Sequence, residues 1–520
     1  MDVVQGVLRK RSFWRAAASL ASVVAVVSVS AGCSASSAAP SVRPQSARST
    51  RSATGAARLP VARTRAPSSA SVLADTTAGA LTAEFARTMF VSSPVVVVAA
   101  DKRTVLAQAE RDARTAHAPL LLSTRVTAQL AAAIKALHPR AVQVADLPVK
   151  SLAARLPGIR VVSRPTGLPV TAPPAPLKRV AVLIHGPVPA VASAAVAATA
   201  QVAGAAVVYV HGWDPRADPA AIEALARIRP ASVVGVGTNF GPAMRLKSRV
   251  AVAETGRQLP GGGEVLFPGH RLVALYGHPG TPSLGALGEQ DLPASITLAK
   301  HMAAEYRPLS RVPVVPTFEI IATVAQASPG PDGTYSYESP VSSLRPWVQA
   351  ATAAGMYVVL DLQPGRASLL SQAELYQPLL RLPNVGLAID PEWKLQPGQV
   401  PLEQIGHVDI GEVNSVVGWL AALTARYKLP QKLLVLHQFQ LSMIVGEQYL
   451  DTSHDDLAIV VHMDGQGTPS VKQDTWDAVT SAAPRGVYFG WKNFFVKDTP
   501  MLTPRETMTK VPTPVMISYQ

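Results

Sequence analysis

The chain has 520 residues, of which 48% are hydrophobic, enough to build more than one large core. Lys and Arg exceed Asp and Glu by 14, but residues 1–70 hold ten Lys or Arg and a single Asp, so most of the excess belongs to the N-terminal tail. No nucleic-acid motif and no basic–aromatic interleaving accompany it, so we expect no DNA or RNA binding. Cys33 is the only cysteine, which excludes an intrachain disulfide.

Residues 1–32 have the features of a signal peptide. A basic start contains Arg9, Lys10, Arg11 and Arg15, and the apolar run 16–29 follows it. That run is shorter than the ~20 apolar residues that a membrane-spanning helix needs. A charged start, a short apolar core and small residues before a cleavage site are typical of a secretory signal.

The segment Ser30-Ala31-Gly32-Cys33 resembles a bacterial lipobox, in which the cysteine becomes the lipidated first residue of the mature protein. We predict lipidation of Cys33 and anchoring to the extracytoplasmic face of the cell membrane. A lone cysteine in an exported chain fits such a modification. An ordinary signal peptidase site is the alternative, and the general secretory and twin-arginine routes both stay open.

Residues 33–79 are rich in Ser, Ala, Arg and Pro and contain few large apolar residues. Such a composition cannot bury enough surface to offset the entropy cost of ordering, so it predicts a disordered tether. Between Cys33 and Ala70 there are six Arg and no acidic residue. This charge suits attraction to anionic lipid headgroups or acidic wall polymers.

Residues 80–262 contain an internal duplication. Each unit is predicted as strand, helix, strand, helix, strand. The first unit extends from the Val-rich run 95–98 to 141–144, and the second from 180–184 to 232–236. Short β-branched runs that alternate with Ala-rich helices predict a parallel sheet covered on both faces, and hence a doubly wound parallel α/β repeat domain.

This region resembles the cell wall-binding repeat 2 family of exported Gram-positive proteins. The shared features are the Val-rich strand, the Ala-rich helix before Ala118–Leu122, the ending Ile134–Val144, and Thr82-Ala83 ahead of the first unit. The resemblance implies docking onto anionic wall polymers, without identifying the contacting residues. A generic doubly wound α/β domain is the alternative.

Residues 263–520 carry eight strand-like segments that alternate mostly with helical ones. The segments are 272–276, 314–321, 357–362, 385–389, 433–436, 457–461, 486–489 and 515–518. Eight strands followed by helices over about 250 residues match a (β/α)8, TIM-like barrel. An open doubly wound sheet is the alternative.

Polar and aromatic residues collect at the predicted carboxyl ends of these strands, where barrel enzymes place their active sites. They are Tyr276, His278, Glu319, Asp361, Gln363, Asp390, Glu392, Trp393, His437, Gln438, His462, Asp464, Trp491, Lys492 and Tyr519. Unpaired carboxylates are costly to bury, so their convergence on one rim indicates a functional site.

Two carboxyl groups beside a cleft are typical of glycoside hydrolases, which need one protonated acid and one ionised base or nucleophile. We predict Glu392 as the general acid, Asp390 as its tuning neighbour, and Asp464 or Asp361 as the partner carboxylate. The Asp-x-Glu motif at 390–392 resembles that of barrel hydrolases acting on peptidoglycan or amino sugars.

The remaining rim residues are predicted to bind an envelope polysaccharide. The expected stacking platforms for sugar rings are Tyr276, Trp393, Trp491 and Tyr519. The side chains expected to hold sugar hydroxyls are Gln363, His437 and Gln438, and the other expected contacts are His278, Glu319, His462 and Lys492.

Three alternatives stay open. Acidic residues at strand ends are often helix caps, and Glu412 lies in a first helical turn. A metal-dependent hydrolase would use His278, His437, His462, Asp361 and Asp464, but no His-x-His or His-Glu-x-x-His spacing appears. A non-catalytic wall-binding scaffold is the third. No metal and no cofactor are predicted, and no phosphate loop or nucleophile elbow occurs.

Overall fold

In a computed structural model that describes residues 58–74, 77–186, 188 and 190–520, the duplication forms two four-stranded parallel sheets. The predicted signal peptide, Cys33 and residues 33–57 lie outside the described residues. The elements up to the end of the first sheet are β1 (Arg63–Thr64), β2 (Ala70–Leu73), α1 (Ala78–Met89), β3 (Phe90–Ser92), β4 (Val95–Ala100), α2 (Arg103–Thr115), β5 (Leu120–Ser123), α3 (Ala128–Lys135), β6 (Ala141–Ala145), α4 (Val149–Arg155) and β7 (Arg160–Val162).

The second sheet repeats the plan of the first. Its elements are β8 (Val180–His185), α5 (Ala190–Val202), β9 (Ala206–Val210), α6 (Pro219–Ile228), β10 (Ser232–Val236) and α7 (Ala243–Ala253). The first sheet has the order β5-β4-β6-β7, and the second has the order β9-β8-β10-β2. The α/β repeat prediction is therefore confirmed, with one sheet for each unit.

The fourth strand of the second sheet comes from the segment predicted to be a disordered tether. β2 pairs in parallel with β10, with Ala70 opposite Val233 and Leu73 opposite Val236. Residues 63–64 also pair with β3. The tether prediction is wrong for residues 58–74, because Val72 and Leu73 supply the apolar side chains that this edge of the sheet needs.

Ala-rich helices lie between the two sheets and join their cores. α5 packs against both α1 and α2, and the buried side chains of the two units form one continuous hydrophobic cluster. Small alanine side chains permit close helix packing, so the composition noted in the sequence has a packing role. The continuous Val run of β4 is fully buried, as expected for a strand covered on both faces.

The second half of the chain is a closed barrel. Its elements are β11 (Arg271–Gly277), α8 (Leu292–Tyr306), β12 (Val314–Ala325), β13 (Ser336–Glu338), α9 (Val341–Ala353), β14 (Tyr357–Leu362), α10 (Leu369–Leu375), α11 (Gln377–Leu380), β15 (Val385–Ile389), β16 (Val408–Asp409), α12 (Ile410–Arg426), β17 (Lys432–Gln438), β18 (Ile444–Val445), β19 (Leu457–Met463), α13 (Pro469–Ala482), β20 (Tyr488–Asn493), α14 (Pro504–Thr507) and β21 (Met516–Tyr519).

All eight predicted strands are present and parallel, and the barrel closes because β11 pairs with β12 on one side and with β21 on the other. The fifth strand, β17, is followed by a loop that contains β18 and two 3-10 turns before β19 begins. Across the residues that the structure describes, no helix is long and apolar enough to cross a membrane.

A charge network joins the amino-terminal end of the barrel to the second α/β unit. Arg216 and Arg249 both contact Asp214 and Asp455, at nitrogen–oxygen distances of 2.7–3.2 Å. Asp455 lies just before β19, whereas Asp214 follows β9. The two arginines and two aspartates therefore bridge the two parts of the fold with balanced charge.

Glu264 lies in the connection between these parts and is 0% exposed. Its backbone N–H donates to Arg216 and its carbonyl accepts from Gln431, yet neither carboxyl oxygen has a hydrogen-bond partner among the described residues. Burial raises the pKa of Glu264 to about 8, although the charge of Arg216 opposes the shift. The carboxyl group is therefore neutral in the folded protein at pH 7.

Replacing Glu264 by Gln should remove a pH dependence of stability. Because the folded-state pKa is raised, the stabilisation from this group is full below pH ~4.5 and is lost as pH rises through about 8. Urea unfolding at pH 5, 7 and 9 should show the wild type weakening relative to Glu264→Gln, by on the order of a few kcal/mol. The exposed Glu223→Gln change is the control. Parallel stability curves for wild type and Glu264→Gln would contradict the assignment.

Candidate active site

The carboxyl ends of the barrel strands bring together charged side chains that lie far apart in the sequence. Glu319, Asp361, His437 and His462 are 0% exposed, and Lys492 is 3% exposed. The parallel register places His437 opposite His462 on neighbouring strands β17 and β19. The predicted cluster at the barrel mouth is therefore present as a group of buried, mutually close ionisable residues.

His437 occupies the centre of this group. Its Nε2 donates to Glu319 Oε1 at 3.0 Å and lies 3.9 Å from Asp361 Oδ1. Its Nδ1 lies 3.2 Å from Asp464 Oδ2, close enough for an ion pair, but the two atoms are not aligned for a hydrogen bond. Both ring nitrogens thus face carboxylates, an arrangement that favours the doubly protonated imidazolium.

The pKa values around His437 follow from this geometry. Burial alone lowers the pKa of His437, but the charge of Glu319 and the contacts with Asp464 and Glu319 outweigh it and hold that pKa well above its ordinary value. Burial likewise raises the pKa of Glu319 and of Asp464, and in each the charge and contact of His437 reverse the shift and lower it. One buried cation therefore keeps two carboxylates ionised.

Lys492 adds a second positive charge at the mouth. Its Nζ lies 3.9 Å from Asp464 Oδ2 and 3.7 Å from the ring centroid of Tyr276, within cation–π range. The hydroxyl of Tyr276 donates to Asp361 Oδ2 at 2.9 Å. Burial raises the pKa of Asp361 to about 6, against the opposing charge of His437.

The pKa values of Asp390 and Glu392 are shifted in the opposite direction from that of Asp464. Burial, followed by the charges of Glu392 and Asp361, raises the pKa of Asp390 well above its ordinary value. Burial and the charge of Asp464 raise the pKa of Glu392 to about 7. The mouth thus contains two carboxyl groups with raised pKa values, those of Asp390 and Glu392, beside one with a lowered pKa, that of Asp464.

Glu392 also lines a cavity of about 350 Å³ at the barrel mouth, a size within the ordinary range of ligand pockets. The other lining residues are Trp393, Leu395, Pro401, Leu402, Glu403, Gln404 and Ile405. The indole Nε1 of Trp393 has no hydrogen-bond partner among the described residues. This cavity therefore offers the side chain of Trp393 and the carboxyl group of Glu392 to one ligand.

His462 differs from its neighbour His437 in charge. The two ring centroids are 5.2 Å apart. Burial and the charge of His437 lower the pKa of His462 to about 3. Its Nε2 is 3.1 Å from Ser518 Oγ, so the neutral ring can accept a hydrogen bond from the Ser518 hydroxyl, while Nδ1 lacks a described partner.

Three predicted stacking platforms are wrong. Trp491 is 0% exposed and packs outward against Trp476 of α13, and its Nε1 donates to Asn493. Tyr519 is buried with its hydroxyl 2.5 Å from that of Tyr306 of α8. Tyr276 faces the mouth, but it is 2% exposed and its ring is covered by Lys492.

Some other predicted contacts are already occupied within the protein. Gln363 accepts from Ala325 N–H with Oε1 and places Nε2 3.5 Å from the Tyr276 hydroxyl. His278 contacts Thr281 and Ser339 through its two ring nitrogens. Gln438 donates to Glu447 at 2.9 Å, whereas its Oε1 lacks a partner among the described residues.

Sequence reasoning missed two supporting residues and the cavity wall. Ser518 and Glu447 contact His462 and Gln438, and residues 401–405 form one side of the cavity. Glu412, anticipated as a helix-terminal carboxylate, accepts from Lys394 Nζ at 2.8 Å and so fixes the loop that carries Glu392. A loop rich in Pro, Leu and Gln gives no signal of its own, because its role depends on where it folds.

The residues present do not suit the metal-dependent alternative. Metal-ligating histidines bind through an unprotonated nitrogen, whereas both nitrogens of His437 face carboxylates. Among the described residues, no group of three or more His, Cys, Asp or Glu has the arrangement of a metal site. His278 lies with Thr281 and Ser339 and does not join the cluster.

No protein-family model matches this chain, and no curated protein matches its sequence.

The two neighbouring histidines should show opposite protonation states. We expect His437 to keep both ring protons at a pH where an ordinary histidine has lost one, because its pKa is raised well above the usual value. We expect His462 to keep one bare nitrogen down to pH 5, because its pKa is about 3. Histidine-selective ¹⁵N NMR measures this directly, with His437→Gln and His462→Gln to assign the signals. A neutral His437 at pH 6 would contradict the electrostatic description.

Proposed function

We propose that this chain is an exported, lipid-anchored, cell wall-associated glycoside hydrolase that acts on cell-envelope glycan. The observation that carries the proposal is a pair of electrostatically coupled carboxyl groups with opposite pKa shifts, Glu392 and Asp464, at the mouth of a barrel. Divergent pKa values in neighbouring acids are the usual basis for assigning acid and base roles.

Glu392 is the proposed general acid. It would donate its proton to the glycosidic oxygen as the bond between that oxygen and the anomeric carbon breaks. With a pKa of about 7, it is protonated in a large fraction of molecules at neutral pH and still acidic enough to transfer the proton. Asp390, whose pKa is also raised, would be protonated and so would add no negative charge beside Glu392.

Asp464 is the proposed partner. As an ionised carboxylate it would either attack the anomeric carbon or take the proton from the water that does so, and in both routes water finally supplies the hydroxyl group at that carbon. His437 and Lys492 would preserve its charge. Trp393 would provide the apolar surface on which a sugar ring stacks.

The proposed cellular setting rests on the sequence. Lipidation at Cys33 would hold the protein at the membrane, and the Arg-rich segment after it would favour anionic surfaces. The α/β repeat would dock onto wall polymer, as its family resemblance implies. The barrel would then act on glycan within reach of the anchor.

The decisive variant is Glu392→Gln, which keeps the shape of the side chain and removes its proton. Loss of general acid catalysis should lower the rate of sugar release from purified envelope glycan by about 10²- to 10⁴-fold. Glu374→Gln, a surface change on α10, is the matched control. If the wild type releases no sugar from any wall or capsule glycan, the hydrolase proposal fails and the scaffold alternative stands.

The pH profile gives an independent test. Because Glu392 acts in its protonated form, kcat/KM should fall as pH rises through about 7, the pKa of this group in the free enzyme. The Glu392→Gln variant should lose this alkaline limb. An unchanged limb in that variant would assign the acid role to another group.

The anchor is tested by Cys33→Ser. In a Gram-positive host, wild type should incorporate labelled fatty acid and sediment with membranes, and Cys33→Ser should do neither because it lacks the thiol that carries the lipid. Ser34→Ala is the neighbouring control. Labelling that survives in Cys33→Ser would contradict lipidation at this site, without bearing on the barrel.

A further inference from the structure

A second cavity, of about 400 Å³, lies between the second α/β unit and the barrel. It is lined by Arg179, Arg229, Glu254, Thr255, Arg257 and Lys428. Four of these six side chains are cationic and one is anionic. We infer that this cavity is a binding site for a phosphate group. The inference does not depend on the hydrolase activity proposed for the barrel.

The cavity lies at the opposite end of the barrel from the candidate active site. Lys428 is in the loop before β17, so it lies at the amino-terminal end of the barrel strands, whereas Glu392 and Asp464 follow the carboxyl ends of theirs. Arg179 directly precedes β8, and Arg229 directly follows α6. The two sites are therefore separate, and the cavity is not an extension of the barrel mouth.

Among the described residues, the one acid that lines the cavity does not balance its four cations. Lys428 pairs with Glu254 at 3.1 Å, a contact that links the barrel to the α/β unit. Glu254 is the one carboxylate that lines the cavity among the described residues, so three arginines remain without a lining acid. Clefts lined by charges of one sign concentrate counter-ions, and guanidinium groups bind phosphate oxygens in a bidentate manner.

Hydrogen bonds within the cavity fix the positions of some of its lining groups. The carbonyl of Arg229, a residue in the left-handed region with φ of 46°, accepts from Nε and Nη2 of Arg179 at 3.2 and 3.1 Å. Thr255 Oγ1 accepts from Arg257 N–H at 3.3 Å, so the Thr255 hydroxyl proton is free to donate. A cation near the carboxyl end of a helix is stabilised by the helix dipole without any ligand. Among the described lining arginines, Arg179 is the one whose side chain bonds such a helix-terminal carbonyl.

A phosphate group fits this arrangement because it carries up to two negative charges and several acceptor oxygens, which match the arginine donors and the Thr255 hydroxyl. The group could belong to free phosphate or to the repeating phosphodiester of an envelope polymer. Because the lining residues come from both the α/β unit and the barrel, bound phosphate would stabilise the contact between them.

Calorimetric titration of the full chain tests the proposal, first with inorganic phosphate and then with poly(glycerol phosphate). The pocket variant is Arg229→Gln with Arg257→Gln. It leaves the Arg229 carbonyl in place and should weaken binding at least about tenfold. Arg227→Gln, an exposed change on α6, is the control. Glu254→Gln should tighten binding severalfold, which a folding defect would not do.

Saturable binding of inorganic phosphate with these variant effects would identify a free-phosphate site. Binding of the polymer alone, with the same effects, would identify a phosphodiester site. Three results would overturn the proposal: no binding of either probe, equal weakening in Arg227→Gln and the pocket variant, or an oligonucleotide of matched charge displacing the polymer at lower concentration.

Discussion

The charge on His437 is the interaction on which the rest of the barrel mouth depends. A fully buried imidazolium contacts Glu319 and lies within 4 Å of Asp361 and Asp464. Without that cation, burial would drive the proton back onto these carboxyl groups, since an unpaired ionised carboxylate is costly in a protein interior. With it, Glu319 and Asp464 stay ionised. Their fixed negative charge in turn keeps the histidine protonated.

This one cation also separates the carboxyl groups into two classes. Asp464 touches His437 and has a lowered pKa, whereas Glu392 and Asp390 are governed by burial and by neighbouring negative charge and have raised values. Acid–base chemistry near neutral pH needs this kind of separation. The loop that carries Glu392 is held in turn by the pair between Lys394 and Glu412, so a side chain away from the cluster helps to position the proposed acid.

The two ends of the barrel use charge in different ways. At the carboxyl end, buried carboxylates pair with His437, and Glu392 lines a cavity beside Trp393. At the amino end, Arg216 and Arg249 are matched by Asp214 and Asp455, which joins the barrel to the α/β unit. The neighbouring cavity has a cationic excess that these pairs do not neutralise. The cluster at the carboxyl end suits acid–base chemistry, and the Arg–Asp network holds the barrel and the α/β unit together. The cationic cavity suits an anionic ligand.

The amino-acid sequence by itself determined the α/β repeat, all eight barrel strands and the collection of acids and histidines at their carboxyl ends. Apolar runs of strand length and amphipathic helices are local patterns, and parallel strands in a barrel share one direction. Only the tertiary structure decided which side chains face inward. A shift of one residue along a strand exchanges the two faces, and so Trp491 packs under a helix while Lys492 reaches the mouth. The tertiary structure also decided that residues 70–73 join the second sheet. It likewise decided that Arg179, Arg257 and Lys428 line one cavity. Those contacts join segments far apart in the chain, where no local pattern carries information about the partner.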